Sequence, residues 1–257
     1  MDERRGEPSP CPFIAVVVAA GLSSRMGGFK PLVDVGGQPA LFRLLDSIKA
    51  SGIDRIFVVT GYERELIEDA ILSYLSGSGL LNQKYRTPGS GPYDFLAHAP
   101  EAHDDAIRID AVHNADFESG MFSSVRSGIC RVADVPGTVA LLFPADVPLV
   151  AAETIAGLTG AWEVLGQGGG SRARRRPFAV PACAGKNGHP LLIPPEYYAE
   201  ILGGDGAGGL KGVRGRYDAD MIRYETNDMG CVLDMDTPED YQTLLEYYER
   251  KCDENAD

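Results

Sequence analysis

The chain has little of what marks several common protein classes. Its 257 residues include four histidines and five cysteines. Cys11, Cys130, Cys183, Cys231 and Cys252 are scattered, odd in number and without C-x-x-C spacing, so neither a disulfide framework nor a zinc site follows. Reduced, mostly buried thiols in a cytoplasmic protein are the expectation. The histidines form no metal-ligand pattern. No apolar run approaches the roughly 20 residues needed to span a bilayer. Residues 1–12 are polar and proline-bearing, lack a signal-peptide core, and read as a short disordered lead. Basic residues are the minority, 24 against 37 acids, for a net charge of −13. That balance repels polyanions and argues against nucleic acid as a partner, and nothing points to a membrane.

What is present begins at Val16. Val16-Val17-Val18-Ala19-Ala20-Gly21-Leu22-Ser23-Ser24-Arg25-Met26-Gly27-Gly28-Phe29-Lys30 is a β-branched run that breaks into glycines, two hydroxyls, an arginine and a lysine. Such a run reads as a buried strand emptying into a loop that holds phosphates. Glycine lets backbone N–H groups approach an anion, and Ser23 and Ser24 add donors. Arg25 offers a planar fork and Lys30 a mobile point charge. The plainer alternative is a glycine turn with solvated charges. The loop is neither a Walker A nor a G-x-G-x-x-G loop. A basic loop in an acidic protein favours a small anionic ligand that brings its own metal.

With 44% hydrophobic and 24% charged residues the composition is that of a globular protein, and residues 13–250 are long enough for a single α/β domain. Strands and helices alternate, which predicts a mostly parallel sheet with helices on both faces. Strands are expected at Phe13–Ala19, Arg55–Thr60, Ile107–Val112, Thr138–Phe143, Phe178–Ala182 (paired with Leu191–Ile193), Met221–Glu225 and Cys231–Leu233. Helices are expected from Pro39, with Leu41, Leu44, Leu45 and Ile48 on one face, at Glu63–Tyr74, Ser123–Arg131 and Ala151–Leu165, and at the C-terminus. Residues 76–105 lack periodicity and read as a surface insertion. The basic run Gly166–Arg176 reads as a mobile loop or, alternatively, an anion-binding patch.

Ligands of such sheets collect where strands end and the order of connections reverses. Three motifs sit at expected strand ends: the glycine loop, Pro144-Ala145-Asp146-Val147-Pro148, and Asp234-Met235-Asp236. Asp146 is either a turn residue or a carboxylate for a hard cation such as Mg²⁺, which needs one or two carboxylates and completes its shell with phosphates and water. Thr237 is a good N-cap, Pro238 suits a first helical position, and Glu239 and Asp240 complement the helix dipole. That leaves Asp234 and Asp236 unexplained, with Asp236 ranked first. Asn114 to Arg126 carries Gly120 and the serines Ser123 and Ser124 at a helix start, where a cap and a ligand contact are equal readings. His189, before Pro190, caps a strand or faces a ligand.

These segments resemble, in order, elements of the MobA/MocA-like nucleotidyltransferases that act on molybdopterin. Ala19 to Lys30 fills every fixed position of A-[AG]-G-x-S-x-R-M-G-x-x-K. Asp146-Val147-Pro148-Leu149 is similar to D-x-P-L, and Asp234 to Asp240 to D-x-D-T-P-E-D. Asn114 to Ser124 is similar to N-x-x-x-x-x-G-M-x-x-S, and Gly188-His189-Pro190-Leu191-Leu192 to G-[HN]-P-x-L. Gly204 to Gly208 resembles the family's G-D-x-G-A at Gly204 and Asp205 but has Ala207 and Gly208 at the last two positions, and it carries glycine where the family's next residue is basic; Lys211 and Arg214 lie close by. The resemblance implies a Rossmann-like three-layer α/β/α fold. It implies an Mg²⁺-dependent transfer of a nucleotide from a triphosphate to the terminal phosphate of molybdopterin, with release of pyrophosphate. Arg25, Lys30 and Asp146 would be catalytic, and Asp146 and Asp236 would bind the metal. Ala19, Ala20, Gly21, Ser23, Ser24, Arg25, Met26, Gly27, Lys30, Thr60, Ser124 and Asp146 would bind the nucleotide, and Gly188, His189 and Pro190 the acceptor. Ala20 is alanine as in the cytidylyltransferase branch, which favours CTP over GTP. A guanylyltransferase, a sugar-phosphate or isoprenoid-type cytidylyltransferase, and a silent cofactor-binding protein serving a molybdoenzyme remain alternatives. A molybdoenzyme or its chaperone is the protein partner this reading allows.

Overall fold

A computed structural model of the chain describes residues 13–21, 28–77, 107–166, 175–204 and 208–254. The lead at 1–12, nearly all of the insertion at 76–105, most of the basic run at 166–176, and Ser23, Ser24, Arg25, Met26 and Gly27 of the glycine loop lie outside the described residues. So do Asp205, Gly206 and Ala207.

Among the described residues eight strands form one sheet: β1 (Phe13–Val18), β2 (Arg55–Thr60), β3 (Arg108–His113), β4 (Val139–Pro144), β5 (Ala179–Cys183), β6 (Lys186–Asn187), β7 (Leu191–Ile193) and β8 (Ile222–Glu225). Their order is β3-β2-β1-β4-β7-β5-β6, with β8 on β5. The β1–β2, β2–β3, β1–β4 and β5–β8 pairs are parallel; β7 runs antiparallel to β4 and β5. β1 and β4 lie side by side in the middle, Val18 level with Pro144, and read as near-continuous apolar runs because both their faces are covered.

Alternation along β1 divides the core. Ala15 and Val17 join Leu41, Leu44, Leu45 and Ile48 of helix α1 (Ala40–Ala50), Ile67 and Ile71 of α2 (Arg64–Ser76), and Ile155 and Leu158 of α4 (Ala152–Gly166). Ile14 and Val16 join Val125 and Ile129 of α3 (Met121–Ala133), Ile201 of α5 (Tyr198–Gly203) and Val213 of α6 (Gly209–Gly215). Each fully buried branched side chain contributes about 1.5–3 kcal/mol. The result is the expected Rossmann-like three-layer α/β/α arrangement with a mostly parallel sheet.

A third, smaller cluster does the positioning that matters for function. Val33 and Val35, after the glycine loop, pack with Met235 and with Leu244 of α7 (Pro238–Glu254). It therefore ties the loop's far end to the segment that follows β8. Helix α7 starts on a reciprocal cap: the Asp240 amide donates to Thr237 Oγ1 at 3.2 Å, and the Thr237 amide donates to Asp240 Oδ2 at 2.9 Å.

Two expectations fail. Cys231–Leu233 is not a strand, because Met229–Cys231 forms a 3₁₀ turn. Gly230 sits so close to Leu149 that a β-carbon would overlap the Leu149 carbonyl, and Asp228 Oδ1 accepts the Gly230 amide at 2.9 Å. The chain turns there instead of extending. Nor are the thiols mostly buried: Cys183 and Cys231 are, while Cys130 and Cys252 are exposed, all four free. Among the described residues no helix is long and apolar enough to cross a membrane.

Candidate active site

The connections leave β1 toward β2 and β3 on one side and return to β4 on the other, so the carboxyl ends of β1 and β4 form the switch point where such sheets bind ligands. Backbone bonds carry the strands past their ends. The Ala145 amide donates to Val18 O at 3.0 Å, and the Ala19 amide to Val59 O at 2.9 Å. Ala19, Ala20 and Gly21 leave β1 here, and Lys30 re-enters at a short 3₁₀ turn, Lys30–Leu32.

Lys30 closes the centre of the crevice. Its Nζ donates to Asp236 Oδ1 at 2.6 Å and to Asp146 Oδ2 at 3.3 Å. Each partner arrives by a different route. Asp146 follows β4 by two residues, and Lys30 is three residues before Val33 of the small cluster. Asp236 follows Met235, which that cluster buries and whose amide donates to Asp146 O at 3.0 Å. Of the two unexplained aspartates, Asp236 is thus the one that makes the contact. Asp234 stands more exposed at the edge, and its carboxyl pKa is raised by partial burial and then by Asp146, Asp236 and Asp240, against the pull of Lys30. Three carboxylates facing one ammonium leave an excess of negative charge.

That excess fits a divalent cation. Carboxylate oxygens are the donors a hard ion prefers, and they already converge on a cation, the Lys30 ammonium. Among the described residues no group of three or more His, Cys, Asp or Glu is arranged to hold a metal. The protein can supply two carboxylates, and the rest of the shell has to come from water and ligand oxygens.

The segment between β6 and β7 borders this cluster. Gly188 donates to Pro181 O at 2.8 Å and has no room for a side chain, since a β-carbon would lie 2.5 Å from Cys231 O and 2.7 Å from its Sγ. The His189 amide donates to Cys231 O at 2.8 Å, and the His189–Pro190 peptide is cis. Burial pushes the His189 imidazole down to about 4, with Arg214 adding to the effect and Asp146 opposing it. The ring is neutral near pH 7 and stands within electrostatic reach of both. Its Nδ1 is sealed from solvent and has no hydrogen-bond partner among the described residues, and the same holds for Arg214 Nε.

The end of β2 forms the third wall. Thr60 is fully buried, and its Oγ1 has no hydrogen-bond partner among the described residues. A β-carbon on Gly61 would lie 2.5 Å from Phe117 Cβ and 2.9 Å from Ala20 Cβ, so the Ala20 methyl packs directly over this glycine. The Asn114 amide donates to Thr60 O at 2.8 Å, and its side-chain Nδ2 donates to Ser123 Oγ at 2.8 Å and to buried Ser124 Oγ at 3.0 Å.

A family model described as the MobA-like NTP transferase domain matches residues 15–221. The chain belongs to that family. It is 36% identical over 102 residues to choline-phosphate cytidylyltransferase of Haemophilus influenzae, covering 38% of this chain and 42% of that one. The chain spans less than half the length of the curated relatives it matches. Among solved structures it resembles a nucleotidyl transferase from Methanothermobacter thermautotrophicus (TM-score 0.64, 17% identity, 93% of this chain and 98% of that one). It also resembles a manganese complex from Mycobacterium tuberculosis H37Rv (TM-score 0.56, 20% identity, 91% and 98%).

In this MobA-like chain Lys30, Asp146 and Asp236 meet by hydrogen bonds, Ala19 and Ala20 lie beside the end of β2 with Thr60 and, through Asn114, Ser124, and Gly188 and His189 are held by Pro181 O and Cys231 O; Ser23, Ser24, Arg25, Met26 and Gly27 lie outside the described residues. Ser123 is not an N-cap for α3; its hydroxyl donates to Gly120 O and Asp116 O, both at 2.8 Å. Two organising residues carried no sequence assignment. Asn114 opens the N-x-x-x-x-x-G-M-x-x-S segment and was findable there. Asp228 was not: its buried carboxylate accepts from the amides of Ala151 and Gly230 and from Tyr247 OH, and it holds the turn whose Cys231 carbonyl anchors His189. Nothing local separates it from the other acids.

Proposed function

We propose that this protein is a divalent-metal-dependent nucleotidyltransferase that moves CMP from CTP to the terminal phosphate of molybdopterin and releases pyrophosphate. The observation that carries the reading is the Lys30 ammonium drawn between Asp146 and Asp236 at the switch point. Asp146 and Asp236 would hold the metal, with Mg²⁺ the expected ion. Bound there, it would offset charge on the triphosphate. Lys30 would neutralise the β- and γ-phosphates together with Arg25 and the amides of the loop. An acceptor phosphate oxygen forms the new bond to the α-phosphorus while the α–β bridging bond breaks and pyrophosphate leaves. The attacking oxygen is already anionic near neutral pH, so the side chains position and neutralise, and none needs to remove a proton.

The Ala20 methyl, packed on Gly61 beside Phe117, narrows the β1–β2 edge and supports a pyrimidine over guanine. Pyrophosphate release measured with CTP, GTP, ATP and UTP, with and without molybdopterin, tests the reading. Release with CTP that depends on molybdopterin is expected. Preference for GTP would move the protein to the guanylyl branch, and no release with any triphosphate would refute the enzymatic reading.

A further inference from the structure

The two carboxylates that meet Lys30 stand on segments that run side by side, in opposite directions, away from the crevice. Residues 146–154 leave the end of β4 and enter α4, and residues 226–236 leave the end of β8 and lead to α7. At the crevice the Met235 amide donates to Asp146 O at 3.0 Å. Behind it Gly230 is pressed on the Leu149 carbonyl, with no space for a β-carbon. Farther back the Ala151 amide donates to Asp228 Oδ2 at 2.8 Å, and Thr154 Oγ1 and Thr226 Oγ1 stand 3.3 Å apart. Asp228 serves both segments. Its Oδ1 accepts the Gly230 amide at 2.9 Å, and Tyr247 OH of α7 donates to the same oxygen at 3.1 Å. This carboxylate is buried, and these three donors are all neutral. Burying a charge against neutral donors costs more than burying an apolar side chain of similar size, so stability is a poor reason for an acid here. Geometry is a better one. A carboxylate offers two acceptor oxygens, one for each amide, whereas asparagine offers one and would turn its NH₂ against the other amide.

Resting on the proposed metal role of Asp146 and Asp236, we infer that Asp228 is the positioning residue of that pair. It is bonded to the backbone behind the site and not to Asp146 or Asp236 themselves. By holding the Ala151 and Gly230 amides on one side chain it fixes where residues 146–151 stand along residues 228–236, and with that the spacing of the two carboxylates in the crevice. Mg²⁺ demands ligand oxygens at about 2.0–2.1 Å in near-ideal geometry. A slip of one segment along the other therefore weakens the ion's hold while both ligands are still present. Tyr247 supports the same carboxylate from α7, and its loss leaves both amide bonds in place.

Binding of Mn²⁺ alone to the nucleotide-free protein reads this apart from turnover, with free Mn²⁺ followed by electron paramagnetic resonance. Wild type, Asp228→Asn, Tyr247→Phe and Asp146→Asn are compared, and urea unfolding gives the stability of each. Asp228→Asn is expected to weaken Mn²⁺ binding at least fivefold. Tyr247→Phe removes a buried hydrogen bond to the same carboxylate, so it should unfold at lower urea yet bind Mn²⁺ within twofold of wild type. Mn²⁺ binding by Asp228→Asn equal to wild type overturns the inference. So does weakening in both variants in proportion to their lost stability, which is what a merely structural residue would give. If Asp228→Asn does not fold, hydrogen exchange on wild type decides. Coupling is reciprocal, so a bound ion must tighten the bonds that position its ligands. The Ala151 amide should then exchange at least fivefold more slowly with Mg²⁺ than without it, and the Ile129 amide of the second core should slow less. Equal slowing at both, or none at Ala151, overturns the inference. Wild type binding Mn²⁺ no better than Asp146→Asn refutes the metal pair itself. Binding that needs Asp146 but not Asp228 leaves the pair standing and refutes only the positioning role.

Discussion

Replacing Lys30 by glutamine should have opposite effects on metal binding and on catalysis. The ammonium sits 2.6 Å from Asp236 and 3.3 Å from Asp146, on the oxygens a divalent ion would use. An ion entering that site meets repulsion from Lys30. Two unit charges about 4 Å apart repel by about 1 kcal/mol in water and about 4 kcal/mol at an effective dielectric of 20. A double charge makes this about 2–8 kcal/mol, and a lysine free to swing away recovers the upper part of that range. About 2 kcal/mol remains, roughly thirtyfold in affinity, since about 1.4 kcal/mol is a factor of ten. Lys30→Gln is nearly isosteric and removes the charge. Nucleotide-free Lys30→Gln should therefore bind Mn²⁺ at least tenfold tighter than wild type, with free Mn²⁺ followed by electron paramagnetic resonance and Asp146→Asn as the weak-binding control. The same variant should release pyrophosphate about 10²–10³-fold more slowly, the usual cost of one lost electrostatic stabiliser. Equal or weaker Mn²⁺ binding in Lys30→Gln would refute the idea that the ammonium holds the metal's place.

Other outcomes follow from the same geometry. Gly188→Ala forces a β-carbon to 2.5 Å from Cys231 O and should cost about 1–3 kcal/mol in urea unfolding, with a loss of turnover as the His189 segment shifts; Gly185→Ala, where a β-carbon meets nothing within 4 Å, should cost less despite its positive φ. Ala20→Gly should raise GTP use relative to CTP by about tenfold or less in competition assays, because a methyl's worth of space opens without partners for guanine; a shift beyond a hundredfold, or none, contradicts the Ala20 argument. The unfolded chain takes up a proton on a histidine below 6.5, whereas folded His189 does so only near 4. Its contribution is therefore fully present above pH 6.5 and is lost as pH falls from 6.5 to 4, by up to about 3 kcal/mol. His189→Asn should flatten that part of the stability profile, and an unchanged slope would show that other groups set it.

How much of this was legible in advance depends on the range over which each feature is decided. Strand β1, helix α1 and the Thr237–Asp240 cap follow from neighbours a few residues apart, and the alternation of elements is enough for a layered, mostly parallel sheet. The chemistry of the glycine loop is also local, since glycines, hydroxyls and cations in that spacing suit phosphates wherever the loop lies. The apolar run Cys231–Leu233 misleads because its conformation is set from outside: Gly230 is pressed on the Leu149 carbonyl and held by Asp228. Asn114 and Asp228 matter as buried hubs, and burial is a property of what folds over a residue. Lys30 lies 116 residues from Asp146 and 206 from Asp236. A motif can nominate each of the three, but Val33 and Met235 packing into one cluster brings them within hydrogen-bond reach. The sequence by itself determines the kinds of groups available and the layers they fold into. Which carboxylate meets the lysine, and which polar atoms are left without a partner, is decided by long-range packing, because charge and hydrogen bonding act over a few ångströms of space and not along the chain.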